Sequence, residues 1–353
     1  MRKDTEFSRR LMLAAPIVQG PFGGGLSSVD LVVAVGDNGG LGSFGVHHLD
    51  AVGIRDVASR IRARTRSGFA LNLWVPHGDS EDPKISDAEW NEACELLQPY
   101  FDSLRVPIPK RPARFMPGFD EQVEAVIEAR PAVFSFVFGV PSSNVLERCR
   151  AAGILTLGAA TTPAEAKLLA DAGVDAIVAT GMEAGGHRVS FLAEPEQCLT
   201  GTLSLVPQVV DTVSVPVVAA GGIADSRGVA AVLALGASAA QIGTAFLACE
   251  ESNASSLHRE MIFSRAARRT SLTRAFSGRL ARSIHNDFID AMRGREQSLL
   301  PYPAHSWLMS HLKNAALGAR RTDVIALWCG QSAPLLRHRE AARLMNSLRD
   351  ALV

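Results

Sequence analysis

A short apolar run, a glycine or polar turn and an Ala/Leu-rich amphipathic segment recur in that order along the 353-residue chain. This alternation most constrains the fold, because it predicts a parallel sheet covered by helices. The runs are mostly continuous in apolar residues, as is typical of strands buried on both faces. Eight strands are predicted, at 15–19, 40–44, 69–74, 132–137, 154–158, 174–178, 215–219 and 238–242.

The intervening helices carry recognisable start and stop signals. Thr162 precedes Pro163, which predicts an N-cap followed by proline at the first helical position. Gly173 stands where this helix is expected to end, and Gly236 has the same position after a helix that Asp225 precedes. Eight strand–helix units predict an α/β fold of the (β/α)8 TIM-barrel class.

Two regions fall outside the repeat. Residues 76–117 are rich in proline and contain one helical pattern, at 86–98, which predicts an insertion after strand three. Residues 254–353 follow the eighth strand and are rich in arginine. We therefore expect a barrel at 1–253 and a C-terminal helical extension at 254–353 packed on the barrel. The helices predicted in the extension lie at 255–268, 280–293, 304–317 and 335–351.

Composition limits the classes of function. The 36 basic and 36 acidic residues give a formal net charge of zero, whereas nucleic-acid binders normally carry a basic face. Five scattered cysteines without a C-x-x-C pair argue against a disulfide framework or a zinc site and predict a reducing, cytoplasmic location. No apolar stretch reaches the ~18 residues that span a bilayer, and Pro16 interrupts the N-terminal apolar run, which argues against a signal peptide. We expect no nucleic-acid, membrane or metal partner.

Glycine turns follow the last two predicted strands. Gly221 and Gly222 come after strand seven, and Gly243 with Thr244 comes after strand eight. In TIM barrels the loops at these positions often bind phosphate through backbone N–H groups and helix N-termini. The alternative is that the glycines only shape tight turns. The Walker and Rossmann glycine motifs are absent.

The stretch after strand one and the third strand carry further candidate binding residues. Phe22, Gly23 and Gly24 lie in a glycine-rich stretch after strand one, which permits close approach to a flat ligand or forms a mobile loop. Asn72 lies within the apolar third strand. Its amide needs partners, which a cofactor ring or the backbone would supply.

His187 closes the stretch E-A-G-G-H after strand six. Histidine titrates near neutral pH and is the commonest general base. A single loop histidine is often structural, but its position beside two phosphate-type loops favours catalysis. Glu183 lies four residues earlier, but Gly185 and Gly186 argue against a helix that would make the pair metal ligands.

With these motifs in place, the chain resembles the nitronate monooxygenase family, formerly called 2-nitropropane dioxygenases, which are FMN-dependent TIM barrels. The resemblance covers nearly the whole chain, and the E-A-G-G-H and A-A-G-G-I-A-D motifs carry it most strongly. The matching stretches include APIVQGPFGGGLSSVDLVVAVGDNGGLGSFG, FALNLWVP, PVVAAGGIADSRGVAAVLALGASAAQIGTAFLACEESNASSLHR and RAFSGRLAR.

The resemblance implies that alkyl nitronates are oxidised by dioxygen to a carbonyl compound and nitrite, and it leaves open whether nitroalkanes are oxidised as well. His187 would be the base, or the group that polarises the nitro or nitronate oxygens. Gly222, Gly243 and Thr244 would hold the FMN phosphate, with Gly221 shaping the turn. The other implied cofactor contacts are Phe22, Gly23 and Asn72 against the isoalloxazine ring, with Gly24, Gly185, Gly186 and Gln241 lining the same pocket.

Other readings stay open at this point. An FMN-dependent enoyl-acyl-carrier-protein reductase, which takes hydride from NAD(P)H, shares the barrel and an E-x-G-G-H loop. A barrel that binds FMN or phosphate without turnover is the non-enzyme alternative, against which His187 argues. The family pattern has Met and Gly where this chain has Phe22 and Val189, so the nitro compound is not fixed. The sequence also leaves open whether the chain forms a homodimer.

Overall fold

Eight parallel strands form a barrel in the computed structural model, which describes residues 4–76 and 83–352. The barrel strands are β1 (Ile17–Gln19), β2 (Gly42–Gly45), β3 (Phe69–Trp74), β4 (Val133–Val137), β5 (Leu155–Ala160), β6 (Ala176–Thr180), β8 (Val217–Ala220) and β9 (Ala239–Ile242). Their hydrogen-bonded order is β1-β9-β8-β6-β5-β4-β3-β2. A parallel bridge between Val18 and Leu41 closes β1 on β2. The predicted TIM barrel is confirmed, and each predicted strand overlaps an observed one.

Helices separate the strands along the chain, as the alternation predicts. They are α1 (Glu6–Arg10), α2 (Val29–Asp37), α3 (Ala51–Arg62), α4 (Asp87–Ser103), α5 (Phe119–Ala129), α6 (Ser143–Ala151), α7 (Pro163–Asp171), α8 (Thr202–Thr212), α9 (Ser226–Ala234), α10 (Thr244–Leu247), α11 (Ser256–Phe263), α12 (Asp287–Met292), α13 (Ala304–Gly318) and α14 (Ala341–Arg349). The Thr162 side chain caps α7, and Asp225 accepts from two backbone N–H groups at the start of α9. Gly173 and Gly236 follow these helices with positive φ, as their C-cap positions require.

Alternate residues of the strands fill the barrel interior. Val18, Leu41, Val133 and Leu157 belong to one buried cluster that also contains Phe7 of α1. The opposite faces of the strands pack against the surrounding helices in a larger cluster. Because both faces are covered, the strands read as continuous apolar runs in the sequence.

The region after β3 packs on the C-terminal region. Trp90 and Phe101 of α4 share a buried cluster with Phe288 of α12 and with Leu308 and Leu312 of α13. An additional helix therefore lies between β3 and α5, inside the predicted insertion 76–117; residues 77–82 of that insertion lie outside the described residues. The last helix, α14, contacts α2 and α9 of the barrel.

The C-terminal region also contains strands, which the sequence reading missed. β10 (Thr270–Thr273) and β11 (Ala281–Ile284) pair antiparallel, and β11 pairs in turn with β7 (Gly186–His187). The predicted helix at 280–293 is therefore wrong in its first half; only Asp287–Met292 is helical. A strand forms because β10 on one side, and β7, distant in sequence, on the other, supply its hydrogen bonds. Among the described helices, none combines the length and apolar character needed to cross a bilayer.

Candidate active site

A cavity of about 320 Å³ opens at the carboxyl ends of the barrel strands. All twelve candidate residues of the sequence analysis line it: Phe22, Gly23, Gly24, Asn72, Gly185, Gly186, His187, Gly221, Gly222, Gln241, Gly243 and Thr244. They meet because the ends of parallel strands point to one face of a barrel.

The turns after β8 and β9 form a cradle of backbone N–H groups. The N–H groups of Gly222 and Gly243 donate to no backbone or side-chain acceptor among the described residues. Thr244 is the first residue of α10, so its N–H has no intrahelical acceptor. A side chain added at Gly243 would meet no atom within 4 Å. The cradle therefore presents unsatisfied donors and open space for an anionic group.

The C-terminal region completes this cradle. Gly330 N donates to Thr244 Oγ1 at 2.9 Å, and Ser332 Oγ donates to the Gly222 carbonyl. Gly330 and Ser332 also line the cavity. Sequence reasoning missed both, which lie in the stretch G-Q-S of the C-terminal region.

Glu183 anchors the loop that carries His187. Its carboxylate accepts from Thr202 N at 3.0 Å and from Thr202 Oγ1 at 2.9 Å, at the first residue of α8. Thr202 Oγ1 also lies 2.9 Å from the Gly221 carbonyl, so one residue ties together the loops after β6 and β8. Gly221 is required here, because its φ is +105° and a Cβ would lie 2.9 Å from Thr202 Oγ1.

Arg282 fixes the same loop from the other side. Its guanidinium donates twice to the Met182 carbonyl, at 3.1 and 2.9 Å. The backbone of Arg282 pairs with Gly186, and Ala281 pairs with His187. His187 therefore lies on a short strand held by the C-terminal sheet, where the sequence suggested a glycine loop.

His187 is a neutral imidazole at neutral pH. Burial, with a smaller contribution from the charge of Arg279, lowers its pKa from 6.5 to about 3. Its Nε2 lies 2.8 Å from Ser277 Oγ, which also lies 3.2 Å from the Arg279 carbonyl. Nδ1 forms no hydrogen bond within residues 4–76 and 83–352, so this nitrogen is left for a ligand in the cavity.

An aromatic wall faces His187. The ring of Trp74, at the end of β3, lies 5.0 Å from the His187 ring and stacks on His47 at 4.0 Å. Burial lowers the pKa of His47 well below its usual value, and its Nδ1 has no partner in the described chain. A Cβ at Gly23 would lie 2.6 Å from His47 Cε1, so only glycine fits against this pair. Trp74 was missed, although its place at a strand's carboxyl end was a usable signal.

Two polar side chains of the barrel interior reach the cavity. Asn72 is 3% exposed and its Nδ2 donates to Ser135 Oγ at 3.0 Å on the neighbouring strand. A protein partner therefore satisfies part of its amide. Gln241 is half-buried at the end of β9. Both amides line the cavity and are suited to a ring with alternating donors and acceptors.

Helix α13 supplies a wall that sequence reasoning did not identify. Ser306, Met309, Ser310 and Lys313 line the cavity at helical spacing, with Tyr302 just before the helix. Burial lowers the pKa of Lys313. The three-to-four residue spacing was visible in the sequence, but nothing local indicated that this helix face covers the barrel mouth.

The fold and the site together define a TIM-barrel enzyme that acts on a small molecule at the C-terminal face of the barrel. Residues 6–350 match the sequence profile of the family described as nitronate monooxygenase. A probable nitronate monooxygenase of Staphylococcus aureus (strain Newman) is 37% identical over 349 residues, which cover 99% of this chain and 97% of the relative.

Solved structures agree with this match. A nitroalkane oxidase from Streptomyces ansochromogenes superposes with a TM-score of 0.88 at 37% identity, over 98% of this chain and 97% of the other. FabK from Thermotoga maritima superposes with a TM-score of 0.72 at 25% identity, over 99% and 96%. The chain belongs to the nitronate monooxygenase family and is an oxidoreductase.

Proposed function

We propose that the protein binds FMN and oxidises alkyl nitronates with dioxygen to a carbonyl compound and nitrite. The observation that carries the proposal is His187, a neutral imidazole held by Ser277 beside a glycine cradle in one cavity. Family membership and the similarity to a nitroalkane oxidase support the same reaction class.

The residues around the cavity fit FMN at both ends. The free N–H groups at Gly222, Gly243 and Thr244 suit a phosphate dianion. At the other side, the amides of Asn72 and Gln241 line the cavity and suit a ring with alternating donors and acceptors. The cavity volume of about 320 Å³ is within the range of small-molecule sites. When bound, FMN supplies the electron-accepting ring, and the protein binds and orients it.

The low pKa of His187 favours the polarising role over the role of base. A group with a pKa of about 3 is a weak proton acceptor, whereas a nitronate has already lost its carbon-bound proton. The Ser277 hydroxyl has one hydrogen and two acceptors in reach, the Arg279 carbonyl at 3.2 Å and Nε2 at 2.8 Å. When it turns from the carbonyl to Nε2, the imidazole carries its hydrogen on Nδ1 and can donate a hydrogen bond to a nitronate oxygen. We therefore propose nitronates as the substrates, with neutral nitroalkanes turned over far more slowly.

An absorbance spectrum of the purified protein, followed by anaerobic addition of a nitronate in the same cuvette, tests the proposal. Oxidised-flavin peaks that bleach with nitronate, with oxygen uptake and nitrite release on aeration, are the expected result. Bleaching by NADH but not by nitronate would instead identify an enoyl reductase. A bound flavin that neither reagent reduces would favour the non-enzyme alternative. If the protein binds no flavin even after FMN is added, the proposal that the glycine cradle binds the FMN phosphate is refuted.

A pair of variants separates the role of His187 from a general loss of structure. His187→Gln removes the titrating ring and is expected to lower nitronate turnover strongly. Ser277→Ala keeps the ring and removes only its hydrogen bond to Nε2, so a smaller loss is expected. Equal activity of both variants and the wild type would remove His187 from the reaction.

Compartment and assembly belong to the same proposal. All five cysteines are free thiols, and four of them are buried, which is in keeping with a reducing, cytoplasmic compartment. We propose dioxygen as the second substrate and keep a homodimer as a prediction, which sedimentation of the purified protein checks.

A further inference from the structure

A second cavity, of about 270 Å³, lies behind the strand that carries His187. Phe138, which follows β4, Arg188 and the segment 190–195 form part of its wall. Phe138 has a φ of +69°, an unfavourable conformation for a bulky residue that is often found at functional sites. Three arginines, Arg188, Arg274 and Arg279, also line this cavity.

Arg279 is a cation without a counter-ion. Its guanidinium lies between two aromatic rings, 4.2 Å from the centre of Phe138 and 4.5 Å from that of Tyr302. Its side chain forms no hydrogen bond or ion pair in the part of the chain that the structure describes. Burial lowers its pKa to about 10, so it stays charged at neutral pH. Its N–H groups are therefore left for a ligand in the cavity that it lines.

Arg188 adds a second positive charge to the wall. It is 2% exposed and donates to the carbonyls of Gly181, Thr180 and Cys198. Its Nε has no acceptor among the described residues. Its hydrogen bonds go to neutral carbonyls, and the carboxylates of Glu165 and Glu183 offset part of its charge from farther away.

Two carboxylates near the cavity lie against the third arginine. Arg274 donates to both carboxylate oxygens of Glu196, at 3.1 and 3.0 Å, and lies 3.7 Å from Glu194, which lines the cavity. The three arginines exceed these two carboxylates by one positive charge. Arg279 is half-buried and has no ion-pair partner among the described residues, so an anion in the cavity would pair with its charge.

We propose that the second cavity binds a planar oxyanion on the in-plane edge of Arg279. Parallel N–H groups of a guanidinium match two oxygens of one planar anion. Nitrite and a small carboxylate share this chemistry. The choice of nitrite depends on the proposed function, since nitrite is the expected product, and Tyr302, whose ring centre lies 4.5 Å from the Arg279 guanidinium, also lines the first cavity.

Calorimetric titration of the FMN-loaded protein with sodium nitrite, sodium acetate and sodium chloride at constant ionic strength tests the site. Nitrite and acetate should bind saturably and more tightly than spherical chloride. Tighter binding of nitrite would mark a product site, and tighter binding of acetate a site for a carboxylate effector. Because the titration measures binding and no turnover, its result can be interpreted even if the protein does not oxidise nitronates.

Four variants locate the anion. Arg279→Gln should weaken planar-anion binding by about tenfold or more, a loss of roughly 1.4 kcal/mol or more. Arg279→Lys keeps the charge, guards against a folding failure, and should lose preference for planar anions over chloride. Arg339→Gln is the matched control, because Arg339 also lies over a ring, that of Phe263 at 3.9 Å, but lines neither cavity. Lys313→Gln reports on the first cavity.

The outcomes divide cleanly. Weaker planar-anion binding in Arg279→Gln and a lost preference over chloride in Arg279→Lys support binding in the second cavity, provided that Arg339→Gln and Lys313→Gln bind as the wild type does. Weaker anion binding in Lys313→Gln, with both Arg279 variants binding as the wild type does, would place the anion in the first cavity and overturn the proposal. So would the absence of saturable binding of either planar anion.

Discussion

Replacing His187 by glutamine should change how the stability of the protein depends on pH. The pKa of His187 falls from 6.5 to about 3 on folding, first because of burial and second because of Arg279. Between these values the unfolded chain binds a proton that the folded protein does not. The free energy of unfolding is therefore highest above the pKa of His187 in the unfolded chain, and it decreases progressively as the pH falls below that value.

The magnitude follows from the shift. At about pH 5 the unfolded imidazole has a pKa about 1.5 units above the solution pH, and one unit is worth ~1.36 kcal/mol, so His187 costs roughly 2 kcal/mol there. Urea unfolding near neutral pH and at about pH 5 measures this loss. The wild type should lose roughly 2 kcal/mol more than His187→Gln between the two conditions.

Ser277→Ala serves as the control for this measurement. It removes the hydrogen bond to Nε2 but keeps the imidazole, so it should lower stability by the same amount at both pH values. A difference between wild type and His187→Gln that does not vary with pH would refute a buried, neutral His187.

Three further substitutions test the geometry of the site. Gly243→Ala meets no protein atom within 4 Å, so it should leave unfolding unchanged but weaken FMN affinity, measured by quenching of flavin fluorescence, by about tenfold or more; unchanged affinity would place the phosphate elsewhere. Glu183→Gln should lower the free energy of unfolding in urea by about 1–3 kcal/mol, because the carboxylate accepts from two donors of Thr202; no loss would mean that the loop is held by other contacts. Arg282→Met removes both bonds to the Met182 carbonyl and should lower the melting temperature and FMN affinity together, whereas a change in only one would separate loop anchoring from cofactor binding.

The barrel and most of its site residues were predictable because their signals are local. Thr162, Gly173 and Asp225 mark helix ends by chemistry that acts within a few residues. The barrel architecture then gathers the strand ends at one face, so Gly222, Gly243 and His187 meet without any further information.

The rest of the site depends on contacts between distant parts of the chain. The stretch around Ala281 contains apolar residues that fit a helix or a strand, and pairing with Thr270–Thr273 on one side and Gly186–His187 on the other decides for the strand. The stacking of His47 on Trp74 likewise joins two different strand ends. Neighbours in space of this kind leave no trace in local periodicity.

Gly330 and Ser332 hold the cradle formed by the turns after β8 and β9, and this arrangement has a consequence during synthesis. A nascent chain that has emerged only through β9 contains all eight barrel strands. It still lacks the contacts that brace the turns after β8 and β9, and it lacks strand β11, which pairs with the strand that carries His187. We therefore expect tight cofactor uptake only after residues near 332 have left the ribosome and docked. Retained flavin would then mark chains that have finished folding.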